Sequence, residues 1–232
     1  MQGNFRRRHL PHWDVADAAY FVTACLAGSI SASGMHQLQQ YRAELDCRKP
    51  PPHTLPQEWT RIKHKLYFAK IDELLDGQPA VRHLGNSDAA ECVRDSIYHF
   101  AGVRYDVIAY CVMPSHLHWV FQPLREWTDA LGATRTKRTP REAIVHSVKS
   151  FTGTQCNQLL ALSGRFWQVE TYDHWVRDED ELARIVEYVE QNPVKAGLVM
   201  KPEDWRWSSA ADRRGWDLPY GEPLRPPESA GG

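Results

Sequence analysis

Two runs of strand-forming residues joined by a short turn restrict the fold of this chain more than any other feature. The runs cover residues 104–113 and 116–122, and both are rich in β-branched and aromatic residues. Pro114 and Ser115 stand between the runs and predict a tight turn. The pattern predicts an antiparallel β-hairpin, so the fold is expected to contain an antiparallel sheet.

Strand and helix signals alternate on both sides of this hairpin. In chain order they fall at residues 20–26 (strand), 57–76 and 87–100 (helices), 104–113 and 116–122 (strands), 140–162 (helix), 165–176 (extended) and 179–192 (helix). Asp178 is the predicted N-cap of the last helix, and Pro193 is predicted to end it. This order predicts an α+β sandwich of the ferredoxin-like kind, in which an antiparallel sheet carries helices on one face and the chain has inserted helices.

The domain organisation follows from the breaks in this pattern. We predict one domain over residues 1–210, which begins irregularly at residues 1–18. Residues 27–57, which hold a short helix signal and a triple proline, and the polar, basic residues 124–139 are predicted insertions or loops. Residues 211–232 are predicted to form a flexible C-terminal tail, because their second half is rich in proline and glycine.

The composition is that of an ordinary soluble protein. Apolar residues make up 42% of the chain, but no apolar run approaches the ~20 residues that a membrane helix needs. The basic N-terminus is followed by His9, Pro11 and Asp14 instead of a signal-peptide apolar segment, so we predict no membrane partner and a cytoplasmic location. The five cysteines are scattered without a C-x-x-C pair and are predicted to be free thiols.

The net charge of −1 does not by itself indicate a protein that binds nucleic acid. Positive charge is concentrated locally in two clusters, which are Arg6, Arg7 and Arg8, and Arg135, Lys137, Arg138, Arg141 and Lys149. Either cluster could be a solvated surface or a contact with phosphates.

His116 and His118 form the first candidate for a chemical site. On a strand, residues i and i+2 point to the same face, so both imidazoles project together. Leu117, Trp119 and Phe121 point to the opposite face, which is apolar and is predicted to face the core. Two neighbouring imidazoles could hold a divalent ion and leave positions open for substrate oxygens. A structural or surface role fits the pair equally well at this point.

The last helix supplies the second candidate. Its apolar stripe leaves Tyr188 at the edge of the core, and Asn192 lies four residues later on the same face. A boundary tyrosine with a solvated hydroxyl is the simpler interpretation. A phenol beside a metal ion could instead attack a phosphodiester and form a covalent phosphotyrosine, which suits a reaction that cuts and rejoins a strand.

Long segments around these residues resemble the single-tyrosine HUH transposases, and in particular the REP-associated tyrosine transposases. Residues 112–118 read VMPSHLH and resemble the MPNHxH motif, with Ser115 where asparagine is common. Residues 188–199 read YVEQNPVKAGLV and resemble the YIxxNPVKAGLV segment. Further matches lie at residues 7–13, 20–23, 167–177 and 205–210, so the resemblance extends from about residue 6 to residue 210.

The resemblance implies a ferredoxin-like HUH nuclease that acts on DNA in the cytoplasm, in association with the nucleoid. Such an enzyme cleaves single-stranded DNA beside imperfect palindromic hairpins (REP elements) through a 5′-phosphotyrosine, with Mg²⁺ or Mn²⁺ as cofactor. Carried over by position, His116, His118 and Asn192 are expected metal ligands and Tyr188 is the expected nucleophile. The expected contacts with DNA are Arg6, Arg7, Arg8, Arg135, Lys137, Arg138, Lys149 and Lys195.

Several alternatives stay open on sequence grounds. Tyr172 is a rival nucleophile, because Asp173 and His174 follow it and could act as acid, base or ligand. A DNA-hairpin-binding regulator without catalysis is the alternative function, and a phosphohydrolase that uses water as nucleophile is a third. The oligomeric state is either a monomer or a homodimer.

Overall fold

A computed structural model describes residues 4–7, 11–14, 18–76, 79–134, 137–216, 218 and 222–224. Its strands are β1 (Asn4–Arg7), β2 (Pro11–Asp14), β3 (Tyr20–Cys25), β4 (Tyr105–Met113), β5 (His116–Pro123) and β6 (Tyr172–Trp175). Its helices are α1 (Ala32–Cys47), α2 (Pro56–Asp76), α3 (Ser87–Tyr98), α4 (Arg125–Gly132), α5 (Pro140–Leu159), α6 (Glu179–Lys195) and α7 (Ser209–Trp216). Short 3-10 turns lie at His83–Gly85 and Pro202–Asp204.

The central sheet has four strands in the order β4-β5-β3-β6, and every neighbouring pair is antiparallel. Together with the two helices α3 and α5, its strands follow the chain in the order β3, α3, β4, β5, α5 and β6. This order confirms the predicted ferredoxin-like α+β fold, including the hairpin that turns at Pro114 and Ser115. β1 and β2 form a separate two-stranded sheet within the N-terminal segment that was predicted to be irregular.

One face of the sheet carries the larger apolar core. Leu117, Trp119 and Phe121 from β5 lie on this face and are at most 2% exposed. α3 and α5 cover them with Val93, Ile97, Ile144 and Val148, among other side chains. The first turns of both helices are capped. At α3, Asn86 accepts from two backbone amides, and at α5, Thr139 and Glu142 form a capping box.

The opposite face is also covered, so the prediction of helices on one face only is wrong. Phe21, Cys111 and Val120 project from this face and pack against Val186 and Val189 of α6. The physical reason is that apolar residues stand on both faces of these strands, and an apolar stripe on α6 has to be buried as well. We refer to this side as the α6 face and to the other as the α3/α5 face.

The segment after β3 forms a helical hairpin, whose second helix, α2, agrees with the helix predicted over residues 57–76. α1 is longer than the short helix that was predicted, and the triple proline lies in the connection to α2. Leu38, Ile71 and Leu75 pack with Cys25 of β3 and Tyr172 of β6. The α1–α2 hairpin therefore lies against the sheet on the side of the edge strand β6.

Three further predictions need correction. Residues 125–132 of the expected loop form α4, whose Trp127 packs against the α3/α5 core. α6 continues past Pro193 to Lys195, because proline removes one amide only and Ala196 still closes the last turn on the Asn192 carbonyl at 3.0 Å. Part of the expected tail is structured: α7 begins at Ser209, and Leu224 is fully buried.

Among the described residues, no helix is both long enough and apolar enough to cross a membrane.

Candidate active site

The two histidines of β5 lie side by side on the α6 face. His118 is in register with Thr23 of β3, and His116 is in register with Cys25. Both residues are buried, with exposures of 1% for His116 and 0% for His118. Their ring centroids are 4.5 Å apart, and the two Nε2 atoms approach each other to 3.1 Å.

Hydroxyl groups hold the other ring nitrogen of each histidine. Nδ1 of His118 lies 2.7 Å from Oγ1 of Thr23, and Nδ1 of His116 lies 2.9 Å from Oγ of Ser115. When Nδ1–H donates to these hydroxyls, Nε2 presents its lone pair. Ser115, which departs from the family motif, therefore still provides an oxygen that can orient the first histidine.

Burial keeps both imidazoles neutral. Desolvation lowers the pKa of His116 to about 3. Desolvation also lowers the pKa of His118 well below its ordinary value, and the nearby His116 and Lys195 lower it further. Neutral imidazole is the form that binds a metal ion, so the pair is in the binding form at neutral pH.

The geometry of the pair fits a divalent ion. Two ligands that bind an octahedral ion at about 2.1 Å lie about 3.0 Å apart, and the two Nε2 atoms are separated by 3.1 Å. Asn192 of α6 is fully buried, and its side-chain oxygen and nitrogen have no hydrogen-bond partner in the described part of the chain. Such an amide is a candidate third ligand. Within the described ranges, no group of three or more His, Cys, Asp or Glu residues is arranged as a metal site.

Tyr188 reaches the same place from α6. Its ring centroid lies 5.6 Å from that of His118 and 6.0 Å from that of Phe21. Lys195, two turns further along the helix, places Nζ 4.4 Å from the centre of the tyrosine ring. The hydroxyl of Tyr188 donates a hydrogen bond to Oδ2 of Asp72.

α6 is fixed to the rest of the molecule just beyond Tyr188. Glu190 is buried and accepts hydrogen bonds from Ser209 at 2.7 Å and from Arg213 at 3.1 Å. At the start of the helix, Asp178 accepts from the amide of Glu181 at 2.7 Å. These contacts set the rotation of α6, so they also determine which side chains it presents to the histidines.

Asp72 is a residue of this site that sequence reasoning missed. It lies on α2, is 8% exposed, and places Oδ1 3.9 Å from Nε2 of His118. One signal was available, because an aspartate stands beside Ile71 on the apolar side of a predicted helix. Its proximity to Tyr188, 116 residues later in the chain, was not visible in any local pattern.

The rival Tyr172 lies in different surroundings. It is in register with Thr23 on β3, but its ring packs with Tyr67 at 6.5 Å and belongs to the cluster beneath the α1–α2 hairpin. Burial raises the pKa of its hydroxyl well above the ordinary value. Asp173 forms an ion pair with Arg141 at 3.2 Å, and His174 lies 3.2 Å from Glu181. The neighbours of Tyr172 are thus engaged in contacts that hold the sheet edge.

The expected DNA contacts are distributed over several places. Arg8 and Arg135 lie outside the described residues, as do the side chains of Arg6 and Arg7, whose backbone is in β1. Arg138 and Lys149 line a groove of about 490 Å³ between α5 and residues 165–171, together with Arg141 and Arg165. Lys137 is exposed one residue before Arg138, whereas Lys195 belongs to the tyrosine site.

Lys149 also has a structural contact. Its Nζ donates at 2.8 Å to the carbonyl of Gln168 and to Oγ1 of Thr171, and burial lowers its pKa to about 8. It therefore fastens α5 to the segment that leads into β6, in addition to lining the groove.

The chain resembles known proteins both in sequence and in structure. No protein-family model matches the chain. Over 106 residues the chain is 29% identical to a Haemophilus influenzae protein described as "Putative REP-associated tyrosine transposase". The matched segment is 45% of this chain and 58% of that relative, so the match spans less than two thirds of the relative's length.

The second match is to a solved structure, that of a REP-associated tyrosine transposase bound to a REP hairpin. The alignment covers 100% of this chain and 98% of the other, with a TM-score of 0.50 and 16% sequence identity. At this identity the match supports the fold alone. The resemblance predicted from the motifs is thus confirmed: this chain is similar to REP-associated tyrosine transposases, in sequence over 106 residues and in fold over its whole length.

Proposed function

We propose that this chain is a single-stranded DNA endonuclease and strand transferase of the transposase kind, which acts at REP-type hairpins through a 5′-phosphotyrosine. The observation that carries the proposal is the meeting of Tyr188 with the buried, neutral pair His116 and His118. A hydroxyl nucleophile, a site for a divalent ion and a nearby cation are the parts that phosphodiester transfer needs.

Tyr188 carries the covalent step in this proposal. Its oxygen attacks the phosphorus of the scissile phosphodiester, and the bond from phosphorus to the 3′ oxygen breaks. The tyrosine loses its proton and the departing 3′ oxygen takes one up, which leaves a 5′-phosphotyrosine and a free 3′ hydroxyl. Attack by a 3′ hydroxyl on the phosphotyrosine reverses the step and joins the strand again.

The remaining residues orient the phosphate and balance its charge. A bound Mg²⁺ or Mn²⁺ supplies the positive charge that polarises the phosphate. His116 and His118 would hold this ion through Nε2, and Asn192 would add its buried amide. Lys195 places a second positive charge near the tyrosine ring, where it can offset the charge that develops on the attacking and phosphate oxygens.

The related protein, the related structure and the distribution of charge support the proposed substrate class. One relative is named for its association with REP elements, and the structure with the matching fold contains a REP hairpin. The groove lined by Arg138, Lys149 and Arg165 offers a local positive surface, although the net charge of the chain is −1. Action on DNA hairpins would place the protein in the cytoplasm with the nucleoid.

The histidines and the tyrosine of the proposed site come from one chain. A monomer can therefore carry out cleavage in this proposal, without a helix supplied by a second copy.

A covalent-adduct assay tests the proposal. A labelled oligonucleotide that contains a palindromic hairpin with unpaired flanks is incubated with protein and Mn²⁺, and the products are separated under denaturing conditions. We expect a protein–DNA adduct with the wild-type chain and with Tyr172→Phe, and none with Tyr188→Phe. The reverse pattern would assign the reaction to Tyr172, and an adduct that survives both changes would refute a tyrosine nucleophile at these positions.

A hairpin-binding regulator predicts a different result in the same experiment. The hairpin would shift in a native gel, but no divalent ion would produce an adduct. A water-dependent phosphohydrolase would instead release products in multiple turnovers and stay active as Tyr188→Phe.

A further inference from the structure

The α1–α2 hairpin contributes a carboxylate to the tyrosine site. Asp72, on the last turns of α2, accepts the hydrogen bond of the Tyr188 hydroxyl with Oδ2. Its other oxygen lies 3.9 Å from Nε2 of His118. One carboxylate thus stands between the proposed nucleophile and the histidine pair.

Packing on both sides of Asp72 holds it in this place. Phe68, one turn earlier on α2, stacks edge-on against Phe21 at 5.1 Å and lies 6.4 Å from the Tyr188 ring. Leu75, one turn later, is 2% exposed in the cluster with Tyr172. Because both neighbouring turns are anchored to the sheet, the carboxylate has little freedom to move away from the hydroxyl.

The ring of Tyr188 is also held, by Phe21, Phe68 and His118, but these contacts leave the hydroxyl hydrogen free to rotate about the C–O bond, and with it the direction of the oxygen lone pairs. A transfer reaction depends on the distance and direction of the attacking oxygen, and a misplacement of about 1 Å can cost on the order of 100-fold in rate. A hydrogen bond from the hydroxyl to a buried acceptor supplies this last constraint.

We propose that Asp72 is a positioning residue for Tyr188, and hence that the inserted α1–α2 hairpin completes the active site. The inference rests on the proposed function, in which Tyr188 is the nucleophile. It differs from a metal-ligand role, because among the described residues Asp72 and the histidines do not form a group of three arranged to hold an ion.

Single-turnover kinetics of adduct formation with Mn²⁺ and the labelled hairpin oligonucleotide test the rate. Asp72→Ala is expected to lower the rate constant at saturating DNA by about 10- to 100-fold, with the half-saturating DNA concentration within about threefold of wild type. Asp72→Asn keeps an acceptor oxygen in the same place and should recover most of the rate. A wild-type rate for Asp72→Ala, or an Asp72→Asn no faster than Asp72→Ala, would overturn the proposal.

Asp46→Asn is the matched control. Asp46 belongs to the same helical hairpin, is exposed, and pairs with Lys63 at 3.1 Å at the surface. Removal of its charge should leave both the rate and the half-saturating concentration unchanged. An equal loss in Asp46→Asn would mean that the hairpin acts through its fold and that Asp72 has no specific role.

A second readout separates this inference from the proposed function. Fluorotyrosine placed at position 188 reports the surroundings of the hydroxyl by ¹⁹F NMR, without DNA or turnover. We expect the resonance to move in Asp72→Ala and in Asp72→Asn, but not in Asp46→Asn. If the wild-type chain formed no adduct, the proposed function would fail, while an unmoved resonance in both Asp72 variants would refute the contact itself.

Discussion

The α3/α5 face and the α6 face of the sheet are built from the same strands but carry different kinds of side chain. On β5, Trp119 and Phe121 enter an apolar core on the first face. From the same strand, His116 and His118 enter the second face, where α6 adds Asn192. Because side chains alternate along a strand, the eight residues of β5 serve both layers.

The two faces contribute to different properties: the α3/α5 face to the stability of the fold, and the α6 face to the candidate active site. The α3/α5 face stabilises the folded state through the burial of apolar side chains, and many of these are almost fully inaccessible to solvent. The α6 face keeps buried polar atoms, including the amide of Asn192, that the described protein atoms do not satisfy. Such groups reduce stability unless a ligand binds them, and they are typical of functional sites.

The largest effect on stability is expected from the α3/α5 face. Trp119→Ala should lower the free energy of unfolding by about 3–5 kcal/mol, because it leaves a cavity among Tyr105, Phe121 and their neighbours. Urea unfolding followed by circular dichroism measures the change. His118→Ala, one residue earlier on the strand, should cost less than half as much and yet abolish adduct formation. Equal destabilisation by the two changes would remove the distinction between the faces.

A change on the α6 face should have a smaller effect and the opposite sign. Asn192→Leu should raise the free energy of unfolding by about 1 kcal/mol, since it removes a buried amide that lacks protein partners. It should also weaken Mn²⁺ binding by about 10-fold or more, as measured by calorimetry. Asn157→Leu is the control, because this amide donates to the Gly164 carbonyl at 2.9 Å and its loss should neither stabilise the protein nor affect Mn²⁺. A destabilised Asn192→Leu with unchanged Mn²⁺ affinity would mean that the amide is structural.

The smallest effect concerns the attachment of α6 to the sheet at low pH. Burial alone would raise the pKa of Glu181, but the hydrogen bonds from Arg177 and the charge of His174 outweigh burial and lower the pKa to about 2. A carboxylate whose pKa is lower in the folded state stabilises the protein above its ordinary pKa, here 4.5, and loses this contribution as the pH falls towards 2. Glu181→Gln should therefore lose less stability than wild type between pH 4.5 and 2, in thermal unfolding at a series of pH values. Parallel curves for the two proteins would show that the ion pair between Glu181 and Arg177 contributes nothing to stability.

The sequence predicted the parts of the structure that depend on local patterns. The hairpin, its tight turn and the order of core elements follow from periodicity over a few residues, and all are present. The motifs around His116 and Tyr188 indicated the family resemblance because they are long and ordered. Errors arose where the local signal was weak, as in α4, whose polar sequence contains few residues beyond Trp127 that pack on the core.

The remaining differences involve contacts between distant segments. Asp72 meets Tyr188 only after α2 folds back over the sheet, and nothing near either residue encodes that contact. The covering of both faces likewise depends on where α6 docks. Leu224 stands among prolines and glycines, so composition predicted a tail, although its side chain is buried in the α3/α5 core.

The C-terminal segment limits the pairing of another chain with the edge of the sheet. β4 is an outer strand of the sheet, and its free backbone groups are already taken: Val112 N–H donates to the Trp207 carbonyl, and Leu224 N–H donates to the Val107 carbonyl. Between these, Ser209 bonds both the amide and the carbonyl of Tyr110. A strand edge closed in this way offers no template for strand addition by another molecule. Removal of residues 207–224 would expose that edge and should promote aggregation.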